Sequence, residues 1–127
     1  MRYLGINLKM EKLMYDLITY QAGFGSVSYS PFCVKAVWML NHAKVAWQRE
    51  DCFDPRKFQH GKLPVLRSDG ELIHDSDNIR VFLEQGGANF WGATSPRDQA
   101  FGQALIRMAE DHLYFHVVHD RWINDAV

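Results

Sequence analysis

Residues 13–20 are nearly all apolar or β-favouring, with Asp16 the exception, which predicts a strand buried on both faces. Residues 21–29 hold Gly23, Gly25, Ser26 and Ser28 and read as a loop. From Cys33 the rhythm changes. Cys33, Val37 and Leu40 form one stripe with Ala36 beside it, broadened by Val34 and Trp38. That spacing predicts an amphipathic helix, ending at Asn41-His42. Residues 45–51 begin by alternating, Val45 and Trp47 against Ala46 and Gln48, as a half-buried strand would. Strand, helix and strand in this order imply a parallel pair with a right-handed crossover.

Asp54-Pro55-Arg56-Lys57 opens a short helix, and a polar loop with Gly61 follows. Lys62-Leu63-Pro64-Val65-Leu66 is a short strand begun through a proline. Ser68-Asp69-Gly70-Glu71 reads as a hairpin turn and Leu72-Ile73-His74 as the returning strand. Asp75-Ser76-Asp77 offers three N-cap residues in a row. Ile79, Phe82 and Leu83 give the stripe of a further helix, closed by Gln85-Gly86-Gly87. Residues 86–94 look like a linker. Ser95-Pro96-Arg97-Asp98 starts a last helix with a capping-box pattern. Its apolar positions include Phe101, Leu105, Met108, Leu113 and Phe115, and it runs towards Trp122. The expected class is α/β with a mixed sheet over residues 13–85, then one long helix over residues 95–123.

Composition narrows the function more than the fold. The chain has 127 residues and a formal net charge of −1, with acids and bases interspersed. Neither a nucleic acid nor a membrane surface is an expected partner. Two cysteines, Cys33 and Cys52, exclude a secreted disulfide framework. No apolar run approaches the roughly 20 residues of a membrane-spanning helix. Residues 1–12 carry charges within a short apolar stretch and do not read as a signal peptide. Met10 offers an alternative start. The expected setting is the cytoplasm, with reduced thiols.

The chemistry concentrates in Ser30-Pro31-Phe32-Cys33. Ser30 suits an N-cap and Pro31 the first helical position, where no N–H is needed. A helix N-terminus favours an anion or a thiolate. The spacing is that of a C-x-x-C redox site whose first cysteine is a serine. The plainer reading is a capping serine followed by a buried cysteine. Gly23-Phe24-Gly25 lacks the third glycine of a dinucleotide fingerprint, since Ser28 stands there. His112, His116 and His119 are spaced to share a helical face, with Asp111 and Asp120 nearby. Zinc or nickel suits such ligands, but there is no His-Glu-x-x-His pattern and no cysteine cluster. The expectation is therefore no metal.

The order of elements resembles the thioredoxin fold, β-α-β-α-β-β-α. Three motifs sharpen the likeness to the N-terminal domain of glutathione S-transferases. They are the turn at Ser30-Pro31-Phe32-Cys33, the Lys62-Leu63-Pro64-Val65-Leu66 strand and the helix start Asp75-Ser76-Asp77-Asn78-Ile79. The tail, Arg107-Met108-Ala109-Glu110-Asp111-His112-Leu113-Tyr114 with Asp120-Arg121-Trp122, is similar to the first C-terminal-domain helix of one subgroup. That subgroup is related to the failed-axon-connections and metaxin proteins. The long glycine-containing loop before Ser30 looks like the same subgroup. Family members carry a complete all-helical second domain, so the resemblance implies a truncated one here.

The resemblance further implies a cis bond at Leu63–Pro64, glutathione as co-substrate, and conjugation of its thiolate to a hydrophobic electrophile. Ser30 would hold the thiolate. Leu63 and Pro64 would present backbone to the cysteinyl residue, as in strand addition. Asp75 would receive the ligand's ammonium group, Ser76 with its helix amides a carboxylate, and Lys62 the glycyl carboxylate. Cys33 is a secondary thiol, and Cys52 is structural. A homodimer is compatible with this reading. The alternatives are a non-catalytic adaptor of the same fold and a metal-binding helical module.

Overall fold

Strand β1 (Tyr15–Thr19) is the centre of the sheet because its residues suit burial on both sides. Leu17, Ile18 and Thr19 are all fully buried, and successive strand residues face opposite ways. The computed structural model describes residues 13–124. The expectations for the charged start and for Met10 lie outside the described residues. The chain forms two compact units, Met1–Ala88 and Asn89–Val127.

In the first unit, helix α1 (Pro31–Ala43) follows β1, and β2 (Trp47–Asp51) pairs parallel to it, Tyr15 opposite Trp47 through Thr19 opposite Asp51. A single 3-10 turn, Pro55–Lys57, stands where a short helix was expected. Its cap is Asp54, whose carboxyl is held below the usual range by hydrogen bonds from the Arg56 side chain and backbone. Strand β3 (Val65–Ser68) runs antiparallel to β1, and β4 (Glu71–His74) antiparallel to β3. Helix α2 (Ser76–Gln85) closes the unit. The strand order is β2-β1-β3-β4. This is the mixed-sheet, thioredoxin-like layout of an α/β domain.

Local chemistry sets the boundaries. Asp69 and Gly70 both have positive φ, +47° and +81°, as a tight turn twisted to suit a hairpin requires. Helix α1 runs to Ala43, past the expected end at Asn41-His42. Lys44 then takes the left-handed conformation, and its N–H donates to the Asn41 carbonyl at 3.1 Å. Strand β2 starts at Trp47, two residues later than expected, and its residues are polar and partly exposed, as befits an edge. Arg67 of β3 ties three strands together. Its Nη1 lies 2.8 Å from Glu50 and 3.3 Å from Asp16.

Helix α1 packs on β1 and on α2, and α2 packs on β3 and β4. The stripe Cys33, Ala36, Val37 and Leu40 is buried as expected. Trp38 is not part of it: the side chain is 69% exposed. A residue beside Val37 on a helix turns about 100° away from it, which takes Trp38 off the core face. Cys33, Cys52, Ile18, Leu63 and Val65 form one buried cluster, with Tyr20 and Phe58 against it.

The second unit holds three consecutive helical stretches. Helix α3 (Pro96–Met108) passes into a π-helical stretch, Ala109–Leu113, and then into α4 (Tyr114–Trp122). The serine half of the expected capping box forms. Ser95 Oγ accepts from the Asp98 amide at 3.2 Å and donates to its carboxylate at 2.8 Å. Gly102 lets Trp91 approach α3, since a Cβ there would lie 2.7 Å from the ring. No helix among the described residues is long and apolar enough to cross a membrane.

Candidate functional site

The loop before α1 is fastened at several points. Ser28 is buried; its Oγ donates to the Tyr20 carbonyl at 2.8 Å and accepts from the Ser30 amide at 3.3 Å. Arg49, reaching across from β2, donates to the carbonyls of Val27 and Tyr20. Gly23 allows Tyr29 to pack against the loop, because a Cβ there would meet the ring at 2.0 Å. These ties deliver Ser30 to the end of α1 in extended conformation. Its Oγ accepts from the Cys33 amide at a long 3.5 Å. Cys33 itself is fully buried in the apolar cluster.

A cavity of about 530 Å³ opens beside this turn. Lys62, Leu63, Pro64, Asp75 and Ser76 all line it. Five residues singled out in the sequence, from two separate stretches, therefore share one wall. Ser30 and Cys33 are not in that lining; Phe32 of the same turn is. The Leu63–Pro64 bond is cis, as the resemblance implies.

Helix α2 presents its start to the cavity in a particular way. Of the three capping candidates, Asp75 takes the N-cap position. Its Oδ1 accepts from the Asp77 amide at 2.8 Å. Asp75 has φ +75° and ψ 136°, a backbone conformation rare for a residue with a side chain. Such strain is held in place by its surroundings and concentrates at functional sites. Ser76 is the first helical residue and is buried.

Three further lining residues, His60, His74 and Asn78, received no ligand role from the sequence, although Asn78 lies within the helix-start motif. Asn78 Nδ2 donates to the His74 carbonyl at 2.9 Å and so joins the end of β4 to α2. The His60 and His74 rings meet edge to face at 5.3 Å, and Phe58 approaches His74 at 6.5 Å. Among the described residues, His74 Nδ1 is buried without a hydrogen-bond partner. The wall thus carries one fixed cation, Lys62, one fixed anion, Asp75, and two imidazoles. It suits a zwitterionic ligand.

The histidines of the second unit fall on two helical stretches. His112 lies within the π-helical stretch, while His116 and His119 lie on α4. The π turn inserts an extra residue and breaks the i, i+4 spacing on which a shared face depends. No three His, Cys, Asp or Glu side chains among the described residues come together as a metal site.

A model of the glutathione S-transferase N-terminal domain matches residues 31–127. Solved structures with a similar fold include the Tau class glutathione S-transferase of mango, Mangifera indica. The TM-score is 0.61 at 19% identity, over 79% of this chain and 47% of that one. A glutathione transferase of Phanerochaete chrysosporium gives 0.59 at 18%, over 78% and 48%. The glutathione S-transferase of Ascaris lumbricoides gives 0.54 at 20%, over 77% and 46%. The chain spans about half the length of these structures.

Proposed function

This chain belongs to the glutathione S-transferase N-terminal domain family, and from that premise we propose that it binds glutathione and conjugates its thiolate to an electrophilic small molecule. The observation that carries the reading is the shared wall. Lys62, Leu63, Pro64, Asp75 and Ser76 line one cavity, with charges that match a γ-linked acidic tripeptide. Asp75 pairs with the ligand's ammonium group. Ser76 and the α2 N-terminus take the adjacent carboxylate. Lys62 faces the glycyl carboxylate, and the backbone around Leu63 and Pro64 pairs with the cysteinyl residue.

Ser30 is the proposed thiolate holder. It is half-buried at the α1 N-terminus, next to the cavity-lining Phe32, and its hydroxyl proton is committed to no acceptor among the described residues. A hydroxyl donor and a helix N-terminus both favour the anion over the thiol. The thiolate then attacks the electrophile's carbon, forming a C–S bond and releasing the leaving group with its electron pair. Cys33 remains a secondary thiol.

The same proposal includes a cytoplasmic setting, a hydrophobic electrophile, a role in detoxification and a homodimer. It also includes the finer subgroup related to failed-axon-connections and metaxin proteins, on the strength of the tail Arg107–Tyr114 with Asp120-Arg121-Trp122. Calorimetric titration with reduced glutathione, alongside conjugation of a generic aryl halide, tests the reading. Saturable binding with turnover is expected. Binding without turnover would leave an adaptor of the same fold as the better account.

A further inference from the structure

The loop that delivers Ser30 is a small hairpin of its own. The Tyr29 amide donates to the Gln21 carbonyl at 2.9 Å, and Gly23 and Ser26 form a bridge at the tip. The tip takes Phe24 and Gly25 through positive φ, +53° and +68°. A bulky residue such as Phe24 holds that conformation at a cost, and it persists only where the surroundings enforce it. Two side chains beyond the tip supply that enforcement.

Arg49 is the first. It stands on β2 opposite Leu17 of β1, and its side chain is 30% exposed. Its guanidinium joins the two legs of the hairpin. Nη2 donates to the Tyr20 carbonyl at 3.0 Å, and Nη1 donates to the Val27 carbonyl. Nε donates to Asp51, two residues on and therefore on the same face of the strand. A planar guanidinium fixes the spacing of the groups it bridges, whereas the rotatable donors of a lysine ammonium do not. Ser28 is the second. It is buried, donates to the same Tyr20 carbonyl at 2.8 Å, and accepts from the Ser30 amide at 3.3 Å. The Tyr20 carbonyl is thus a shared anchor, tied to Arg49 directly and to the Ser30 backbone through Ser28.

We infer, on the reading that Ser30 holds the glutathione thiolate, that Arg49 is a positioning residue for Ser30. Its fork sets where Val27 lies relative to the end of β1. Ser28 follows Val27 in the chain and passes that placement to the Ser30 amide. The Ser30 hydroxyl is thereby held in one orientation at the α1 N-terminus. Arg49 does not line the cavity, so the wall that grips glutathione does not depend on it. Its loss therefore acts on turnover and on ionisation of the bound thiol, and leaves glutathione affinity alone. A misplacement of about 1 Å in a reacting arrangement costs up to roughly 100-fold in rate.

The test is a double-mutant cycle on the full chain between Arg49→Met and Ser30→Ala. The readouts are turnover of an aryl halide against pH, and glutathione affinity by calorimetry. Arg49→Met should lower turnover roughly tenfold with affinity unchanged. Its pH–rate profile should move to higher pH, because a thiolate without its fixed donor forms less readily. In the Ser30→Ala background the same substitution should cost nothing further, since no hydroxyl is left to place. Arg49→Lys keeps the charge without the fork and should behave like Arg49→Met. Ser28→Ala cuts the link nearer to Ser30 and should show the same dependence on the Ser30 hydroxyl. Full activity in Arg49→Lys would make the effect one of charge and overturn the positioning role. Equal losses with and without the Ser30 hydroxyl, or affinity falling in step with turnover, would also overturn it. A parent chain that binds no glutathione and conjugates nothing overturns the proposed function, and the role of Arg49 with it.

Discussion

Ser30 and Cys33 share the first turn of α1, and their surroundings divide the chemistry between them. Cys33 is fully buried among Ile18, Cys52, Leu63 and Val65 and is not in the cavity lining. Ser30 is half-buried with an uncommitted hydroxyl proton. Ser30→Ala removes one donor to a charged acceptor, a loss of about 1.5–3 kcal/mol. Conjugation of an aryl halide should fall roughly 10- to 100-fold while glutathione affinity is largely kept. Cys33→Ala should leave turnover nearly unchanged. The opposite pattern in the two variants would move the chemistry to thiol exchange. Asp75 separates ligand binding from stability. In Asp75→Asn the side-chain oxygen still caps the Asp77 amide and the residue still tolerates a positive φ, but the charge is gone. Glutathione affinity should fall roughly 10- to 100-fold, with the melting temperature within a few degrees of the parent. A fall in stability without loss of affinity would make Asp75 a cap and nothing more. Residues such as Lys62 and Asp75 were legible because they sit in motifs. His60 and His74 were not, since an isolated histidine carries no pattern and only the fold brings the two rings together.

At the scale of elements, the hairpin between β3 and β4 sets where the cavity wall ends, because His74 and Asp75 follow directly from it. Gly70 holds φ +81° in that turn. Gly70→Ala forces a side chain into the left-handed region, destabilising the protein by about 1 kcal/mol. A thermal melt should show a drop of several degrees. An unchanged melting temperature would mean that the turn relaxes freely and does not fix the register. The turn was readable from Asp69-Gly70, and β1 from a run of apolar and β-favouring residues broken only by Asp16. Boundaries were harder to read. Lys44 stops α1 in a conformation usually left to glycine or asparagine, so no residue type marked the end. The π-helical stretch, Ala109–Leu113, also had no local signature, and it disrupts the histidine spacing that looked like a shared face. Trp38 was misplaced because an apolar residue next to a stripe is not necessarily on it.

At the scale of the molecule, the two units differ in how well they cover their apolar residues. The first buries a continuous core from Leu17 to Leu83. In the second, Phe101, Leu105, Met108, Leu113, Phe115 and Trp122 are all exposed, Phe101 at 66% and Trp122 at 64%. Apolar surface on this scale favours association. Light scattering should therefore show a mass that grows with protein concentration, and a stable monomer at high concentration would contradict that expectation. The α/β class and the mixed sheet were legible because each element carried its own period. The cavity was not, because it is a property of how the loop before β3, the end of β4 and the start of α2 converge. The central claim is that this convergence is a glutathione site. The most direct measurement is a titration of the isotope-labelled chain with reduced glutathione, followed residue by residue in amide NMR spectra. Saturable shifts concentrated at Leu63, Ser76 and Asp77, with Ser30 and Phe32 responding, are the predicted result. Spectra that do not move, or shifts confined to residues 96–122, would contradict it.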